Sequence, residues 1–247
     1  PHRCRFVVAR PSGERSMQRT ILITGASRGI GRCIAERLLQ EGHRLSLGLR
    51  LPDQLLGSGL DHPDVLRLPY DAADPSAAEA FVETTVETWG GFDSLIHCAG
   101  CLHRTPLLFD DAAEPELEEL WRINLMGPWR LTRAAWQALK QSGHGRIQVL
   151  VSMSGKRVKG RMTGYPVSKF GLMALCQAMR NEGWDNGIRV TAICPSWVAT
   201  DMALGVSTLP AEEMTQPTDL AELSCSLLRV ANTAVPFELA VNCALEV

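Results

Sequence analysis

From Thr20 onward, short apolar runs alternate with longer segments in which apolar residues recur every three or four positions. Ile21-Leu22-Ile23 is the first run, and Ile30, Cys33, Ile34 and Leu38 then repeat with helical period until Gly42 supplies a stop. Further strands are expected at 45–49, 65–68, 95–96, 147–151, 189–194 and 238–242. Helices are expected at 75–89, 116–142, 163–184 and 217–231, while the Pro- and Gly-containing stretch 51–63 leaves room for a short helix at most. The strands are nearly all apolar rather than alternating, as when parallel strands are covered by helices on both faces. The pattern predicts an α/β fold: a single domain with a doubly wound parallel sheet of about seven strands flanked by helices.

Composition narrows the function classes. The 247 residues carry a formal charge of -2, with no basic footprint for nucleic acid. No apolar run approaches the roughly 20 residues of a membrane span, so a cytoplasmic protein with no membrane partner is expected. Residues 1–18 read as a flexible N-terminal extension, and 19–247 as the domain. In that extension Arg3, Arg5, Arg10 and Arg15 stand against the single acid Glu14, a composition shared by targeting peptides, and Met17 offers an alternative start. The eight cysteines lie mostly in apolar stretches and read as reduced, buried small hydrophobes. Cys98 and Cys101 match a C-x-x-C pattern, but neither a second cysteine pair nor a closely spaced histidine pair completes it. No metal is expected.

Candidate chemistry concentrates at two places. Thr24-Gly25-Ala26-Ser27-Arg28-Gly29-Ile30-Gly31 follows the first strand and runs into a helix, where glycines let the backbone approach a pyrophosphate at the positive end of the helix dipole. Tyr165 and Lys169 stand four positions apart on a helix, so they share a face, with Ser152 thirteen positions upstream. An adjacent ammonium favours the ionised phenol, whose free pKa is about 10, and is expected to bring it toward neutrality. Pro166 is compatible with the start of that helix.

The order and spacing of these motifs resemble the classical short-chain dehydrogenase/reductase (SDR) family, in general character the 3-oxoacyl-acyl-carrier-protein reductases, over about residues 20–243. The resemblance implies a Rossmann-type fold and a nicotinamide cofactor. It implies that Gly25, Ser27, Arg28, Gly29, Ile30 and Gly31 hold the pyrophosphate, that Asp71, Ala99 and Gly100 border the adenosine, and that Pro195, Val198 and Thr200 hold the nicotinamide. It implies a catalytic set of Asn124, Ser152, Tyr165 and Lys169. Tyr165 would be the general acid/base, and Ser152 would orient the substrate oxygen. Lys169 would bind the ribose and depress the tyrosine pKa, and Asn124, at the head of a long helix, would hold a relay water. Homodimers or homotetramers joined through the helices at 116–142 and 163–184 are implied as well.

No acid stands at the end of the second strand to accept from a ribose 2′-hydroxyl; Arg50 and Arg28 instead offer guanidinium forks to a 2′-phosphate. NADP(H) is therefore expected rather than NAD(H). The bases Lys156, Arg157, Lys159 and Arg161 favour a small carbonyl or alcohol substrate that is anionic or thioester-linked. Residues 203–214, with Trp197 at their base, read as the substrate lid.

Three positions depart from the family pattern. His97-Cys98 replaces an Asn pair, with His97 expected as a satisfied interior residue. Ser196 replaces a glycine after Pro195, where a Cβ limits positive φ, and Val241-Asn242-Cys243-Ala244 lacks the common glycines. These departures keep open a second reading, a non-catalytic dinucleotide-binding regulator or scaffold, against which the intact Asn124, Ser152, Tyr165 and Lys169 argue.

Overall fold

The structure, a computed structural model, describes residues 17–243; residues 1–16 of the expected 1–18 extension, and Ala244, lie outside them. Seven strands are present: β1 Thr20–Thr24, β2 Arg44–Leu49, β3 Val65–Pro69, β4 Ser94–His97, β5 Arg146–Leu150, β6 Arg189–Pro195 and β7 Glu238–Val241. They form one parallel sheet in the order β3-β2-β1-β4-β5-β6-β7. The expected fold class holds.

Period-two alternation divides the sheet between two apolar layers. Ile21 and Ile23 point to one face with Ile34, Ala35 and Leu38 of α1 (Gly29–Gln40) and Leu220, Ala221, Cys225 and Leu228 of α7 (Pro217–Arg229). Leu22 between them points to the other, with Phe81 of α2 (Ala77–Trp89), Leu131 of α4 (Gly127–Gln141) and Leu172 and Cys176 of α5 (Gly164–Gly183). Each fully buried Leu or Ile contributes about 1.5–3 kcal/mol. None of the described helices is long and apolar enough to cross a membrane.

Strand order reverses at β1, which lies between β2 and β4. In a parallel sheet this is where loops at the carboxyl edge diverge and leave a crevice. The expected helix at 116–142 is two helices, α3 (Glu114–Trp121) and α4, joined by a single π-helical turn at Arg122–Met126. Residues 51–63 contain one short 3-10 turn at Pro52–Leu55. A four-residue α6, Asp201–Leu204, opens the expected lid, and a bridge from Val198 to Thr215 closes its base.

His97, at the end of β4, is buried, and its Nε2 lies 3.0 Å from Thr132 Oγ1. Burial pulls its pKa from 6.5 down to about 3. The folded chain therefore keeps the ring neutral while the unfolded chain protonates it near 6.5. This contribution to stability is intact above pH 6.5 and is lost as pH falls toward 3, with a limiting slope of about 1.4 kcal/mol per pH unit. His97→Asn keeps a partner for Thr132 and removes the titration. Acid-unfolding curves of variant and wild type are expected to run in parallel above pH 6.5 and to separate in the variant's favour below it; curves that stay parallel throughout would refute a neutral buried ring.

Candidate active site

The turn after β1 is built by backbone contact. Gly25 has φ 70°, and a Cβ there would stand 2.7 Å from the Ala99 nitrogen; one on Gly31 would stand 2.4 Å from the Gly25 oxygen. No other residue type fits either place. The Thr24 hydroxyl ties this turn to the one after β4 by accepting from the Cys98 and Ala99 N–H groups, both at 3.3 Å. Arg28 occupies the N-cap of α1 without capping it, leaving the first N–H groups of the helix facing the crevice. Its guanidinium lies 3.9 Å from Asp201, an exposed pair of little energetic weight.

Helix α5 presents Tyr165 and Lys169 on its buried face, one turn above Leu172, Met173 and Cys176. The Lys169 ammonium lies 5.7 Å from the Tyr165 ring centre and donates to the Leu150 carbonyl at 3.0 Å. Burial pulls its pKa down to about 8. Ser152 hydrogen-bonds Tyr165, and its Oγ accepts from the Ser154 N–H at 3.0 Å. It is also the single non-glycine residue with positive φ among those described, at 151° with ψ 157°.

The expected depression of the Tyr165 pKa is not found. Burial pushes the phenol up to about 12 against the opposing Ser152 hydrogen bond, while the Lys169 ammonium is engaged by the Leu150 carbonyl. Asn124 departs from its expected place at a helix head: it lies inside the π-helical turn, completely buried. Its Oδ1 accepts from the Cys101 N–H at 2.9 Å, while Nδ2 donates to the Cys101 carbonyl at 3.0 Å and Ser168 Oγ at 3.1 Å. The two borders of Gly100 bring the set together, since a Cβ there would meet Asn124 Oδ1 at 3.2 Å and Lys169 Nζ at 3.8 Å.

Ser152, Tyr165, Lys169 and every residue expected to hold the cofactor, from Gly25 to Thr200, line one cavity of about 1530 Å³. Asn124 stands behind its wall. The volume exceeds the roughly 300–1,000 Å³ of a single-ligand pocket and leaves room for two ligands. Of the lining residues, Arg50 and Asp71 follow β2 and β3, and Arg157, Lys159 and Arg161 lie on the segment after β5. Lys156 is instead ion-paired with Glu238.

Several wall residues carried no sequence signal of a site: Gln54, His103, Arg104, Glu119 and Met202. Ser196 does not need positive φ, so its Cβ brings no backbone strain; its N–H donates to the Val241 carbonyl at 2.8 Å. The cysteines among the described residues are free, with Cys33, Cys98 and Cys101 half-buried rather than buried.

The profile of the short chain dehydrogenases matches residues 19–208. An agropine synthesis reductase of Rhizobium rhizogenes is 36% identical over 215 residues, 87% of this chain but 50% of that protein. The chain thus spans about half the length of that relative. The 3-oxoacyl-acyl-carrier-protein reductase of Escherichia coli is 31% identical over 192 residues, 75% of this chain and 76% of that protein. An alcohol dehydrogenase of the archaeon Thermococcus sibiricus, solved with 5-hydroxy-NADP, superposes with TM-score 0.82 at 27% identity, covering 93% of this chain and 98% of that one. With a glycine turn that admits no side chain, and serine, tyrosine and lysine gathered in one crevice, the chain belongs to the short-chain dehydrogenase family of oxidoreductases.

Proposed function

We propose that the protein is a cytoplasmic NADP(H)-dependent reductase, converting a carbonyl to an alcohol or the reverse, with Tyr165 as general acid/base. The observation that carries this reading is the convergence of Ser152, Tyr165 and Lys169 on the cavity that the glycine turn opens. The dinucleotide fits the residues present, because the Gly25 and Gly31 cradle and the uncapped start of α1 suit a pyrophosphate. Bound there, it supplies the hydride. Tyr165 donates the proton to the substrate oxygen, Ser152 holds that oxygen, and Lys169 binds the ribose. Asn124 fixes the Cys101 peptide and, beside Lys169 at Gly100, borders the path by which the proton is replaced.

Arg50 follows β2 with no acid beside it, which supports NADP(H). Arg104, Arg157, Lys159 and Arg161 on the cavity wall support an anionic or thioester-linked substrate, as do the reductase names of the relatives. Exposed Trp121, Trp129, Val167 and Phe170 on α3, α4 and α5 support a homodimer or homotetramer.

Tyr165→Phe is expected to lower turnover by about 100-fold or more while NADPH binding, followed by fluorescence, survives. A regulator on the same fold would show no turnover in the wild type to lose. Arg50→Asp is expected to raise KM for NADPH roughly tenfold with little change in kcat, by loss of a charge-assisted contact. A wild-type kcat/KM higher with NADH than with NADPH would rule out this cofactor choice.

The backbone of Ser152 sits where only glycine is at ease, at a cost of about 1–3 kcal/mol. Removing the hydroxyl two ways isolates that strain. Ser152→Gly is expected to be more stable than Ser152→Ala by ~1 kcal/mol, reversing the usual order, while both lose turnover. Thermal melts and initial rates of the pair decide it.

A further inference from the structure

The cavity wall next to the catalytic residues carries a second cluster. A thiol sulfur of Cys101, an imidazole nitrogen of His103 and a carboxylate oxygen of Glu119 lie within 4.8 Å of one another. His103 Nε2 and Glu119 Oε2 are 2.7 Å apart. Cys101 and His103 come from the chain beyond β4, two residues apart, and Glu119 from α3. All three line the cavity.

We propose that Cys101, His103 and Glu119 bind a zinc-type divalent cation with three protein ligands and a fourth position open to the substrate cavity. Donor chemistry selects the ion: thiolate and imidazole favour zinc and its neighbours over magnesium or calcium, and a carboxylate oxygen is an accepted third zinc ligand. Spacing agrees. Tetrahedral zinc with bonds of about 2.0–2.3 Å holds its ligand atoms roughly 3.3–3.8 Å apart, so the His103–Glu119 contact opens slightly and the sulfur, within 4.8 Å of both, moves in by side-chain rotation.

The backbone that carries the sulfur is held in place, because both polar groups of the Asn124 amide grip the Cys101 peptide. Without an ion, burial and the Glu119 charge push the thiol up to about 11; cation binding displaces that proton to solvent. Cys98, the other half of the C-x-x-C pattern, takes no part. It packs against the apolar layer beside α1, where a Cβ on Gly31 would lie 3.0 Å from its own.

The open position gives the substrate end a Lewis-acidic wall, suited to a carboxylate or hydroxyl oxygen on the molecule being reduced. This last step alone rests on the reductase reading. The competing arrangement is a plain His103–Glu119 ion pair with the thiol as bystander.

Cobalt(II) distinguishes them. The whole protein, stripped with a chelator and kept reduced, is titrated with Co²⁺ in the absence of nucleotide and substrate. One equivalent is expected to produce a near-ultraviolet thiolate-to-cobalt absorption with visible bands of four-coordinate strength, and Zn²⁺ is expected to bleach both. Cys101→Ser should abolish the near-ultraviolet band and Cys98→Ser should leave it intact. His103→Ala and Glu119→Gln should each weaken cobalt binding at least about tenfold. Absence of the band, its persistence in Cys101→Ser, or its equal loss in Cys98→Ser overturns the site. If Cys101→Ser does not melt as the wild type does, the His103 and Glu119 variants decide, since unchanged affinity in both also overturns it. The readout needs no turnover, so an inactive protein would still report the ion, and an active reductase without the band would lose this inference alone.

Discussion

The contact of Gly25 with the Cys98-Ala99 peptide is the constraint on which the site depends. β1 and β4 run side by side where strand order reverses, and their turns would separate if anything stood between them. A Cβ at Gly25 would approach the Ala99 nitrogen to 2.7 Å, so the turns touch backbone to backbone, and the Thr24 hydroxyl holds them there. The chain then passes through Gly100, against Asn124 and Lys169, to Cys101, whose peptide Asn124 grips. One series of close approaches therefore links the start of α1 to the end of α5 that carries Tyr165 and Lys169. A displacement at the glycine turn would be felt at the ammonium.

Stability and site geometry conflict at two residues. Lys169 is buried with one carbonyl partner described, and an ammonium so placed loses hydration that a single hydrogen bond restores only in part, which is why its pKa falls to about 8. Ser152 occupies a glycine-like conformation although it has a Cβ. Both are over-determined by their surroundings. α5 is anchored by the Leu172, Cys176 and Met179 face in the core, and Gly164 approaches α3 so closely that a Cβ would meet Leu117 at 2.5 Å. Apolar burial along twenty residues of helix holds in place groups that would relax if the helix were looser.

What the chain reveals in advance follows from how each feature is encoded. The glycine turn was legible because a backbone demand appears directly as residue type. The parallel sheet was legible because burial on both faces appears as unbroken apolar runs. The spacing of Ser152, Tyr165 and Lys169 was legible through family resemblance, and their convergence needed the fold. Asn124 was placed at a helix head because a π-helical turn leaves no mark in an otherwise continuous helical period. The Tyr165 pKa went the wrong way because the sequence shows the neighbouring charge but not the desolvation that exceeds it. Cys98 and Cys101 suggested a pair by spacing alone, whereas the turn after β4 packs Cys98 against the apolar layer and brings the Cys101 sulfur to His103 and Glu119.

The two ends of the cavity are built from different materials. The dinucleotide end consists of backbone and short turns locked to the sheet, where side-chain identity matters mainly by its absence. The substrate end consists largely of three segments with little regular structure beyond short helical turns, at 101–110, 153–163 and 201–214, and contacts run between them. The Thr105 carbonyl accepts from the Thr163 and Gly164 N–H groups at 2.9 and 3.1 Å, joining the first segment to the second. Arg104 Nη1 donates to the Val206 carbonyl at 3.2 Å, joining the first to the third. The segment after β4 is thus the hub of the substrate end, and it is also the segment fixed at its root by Gly25 and Asn124. Changes in the flanking loops can alter which molecule enters while Tyr165 and Lys169 stay where the glycine turn and α5 hold them.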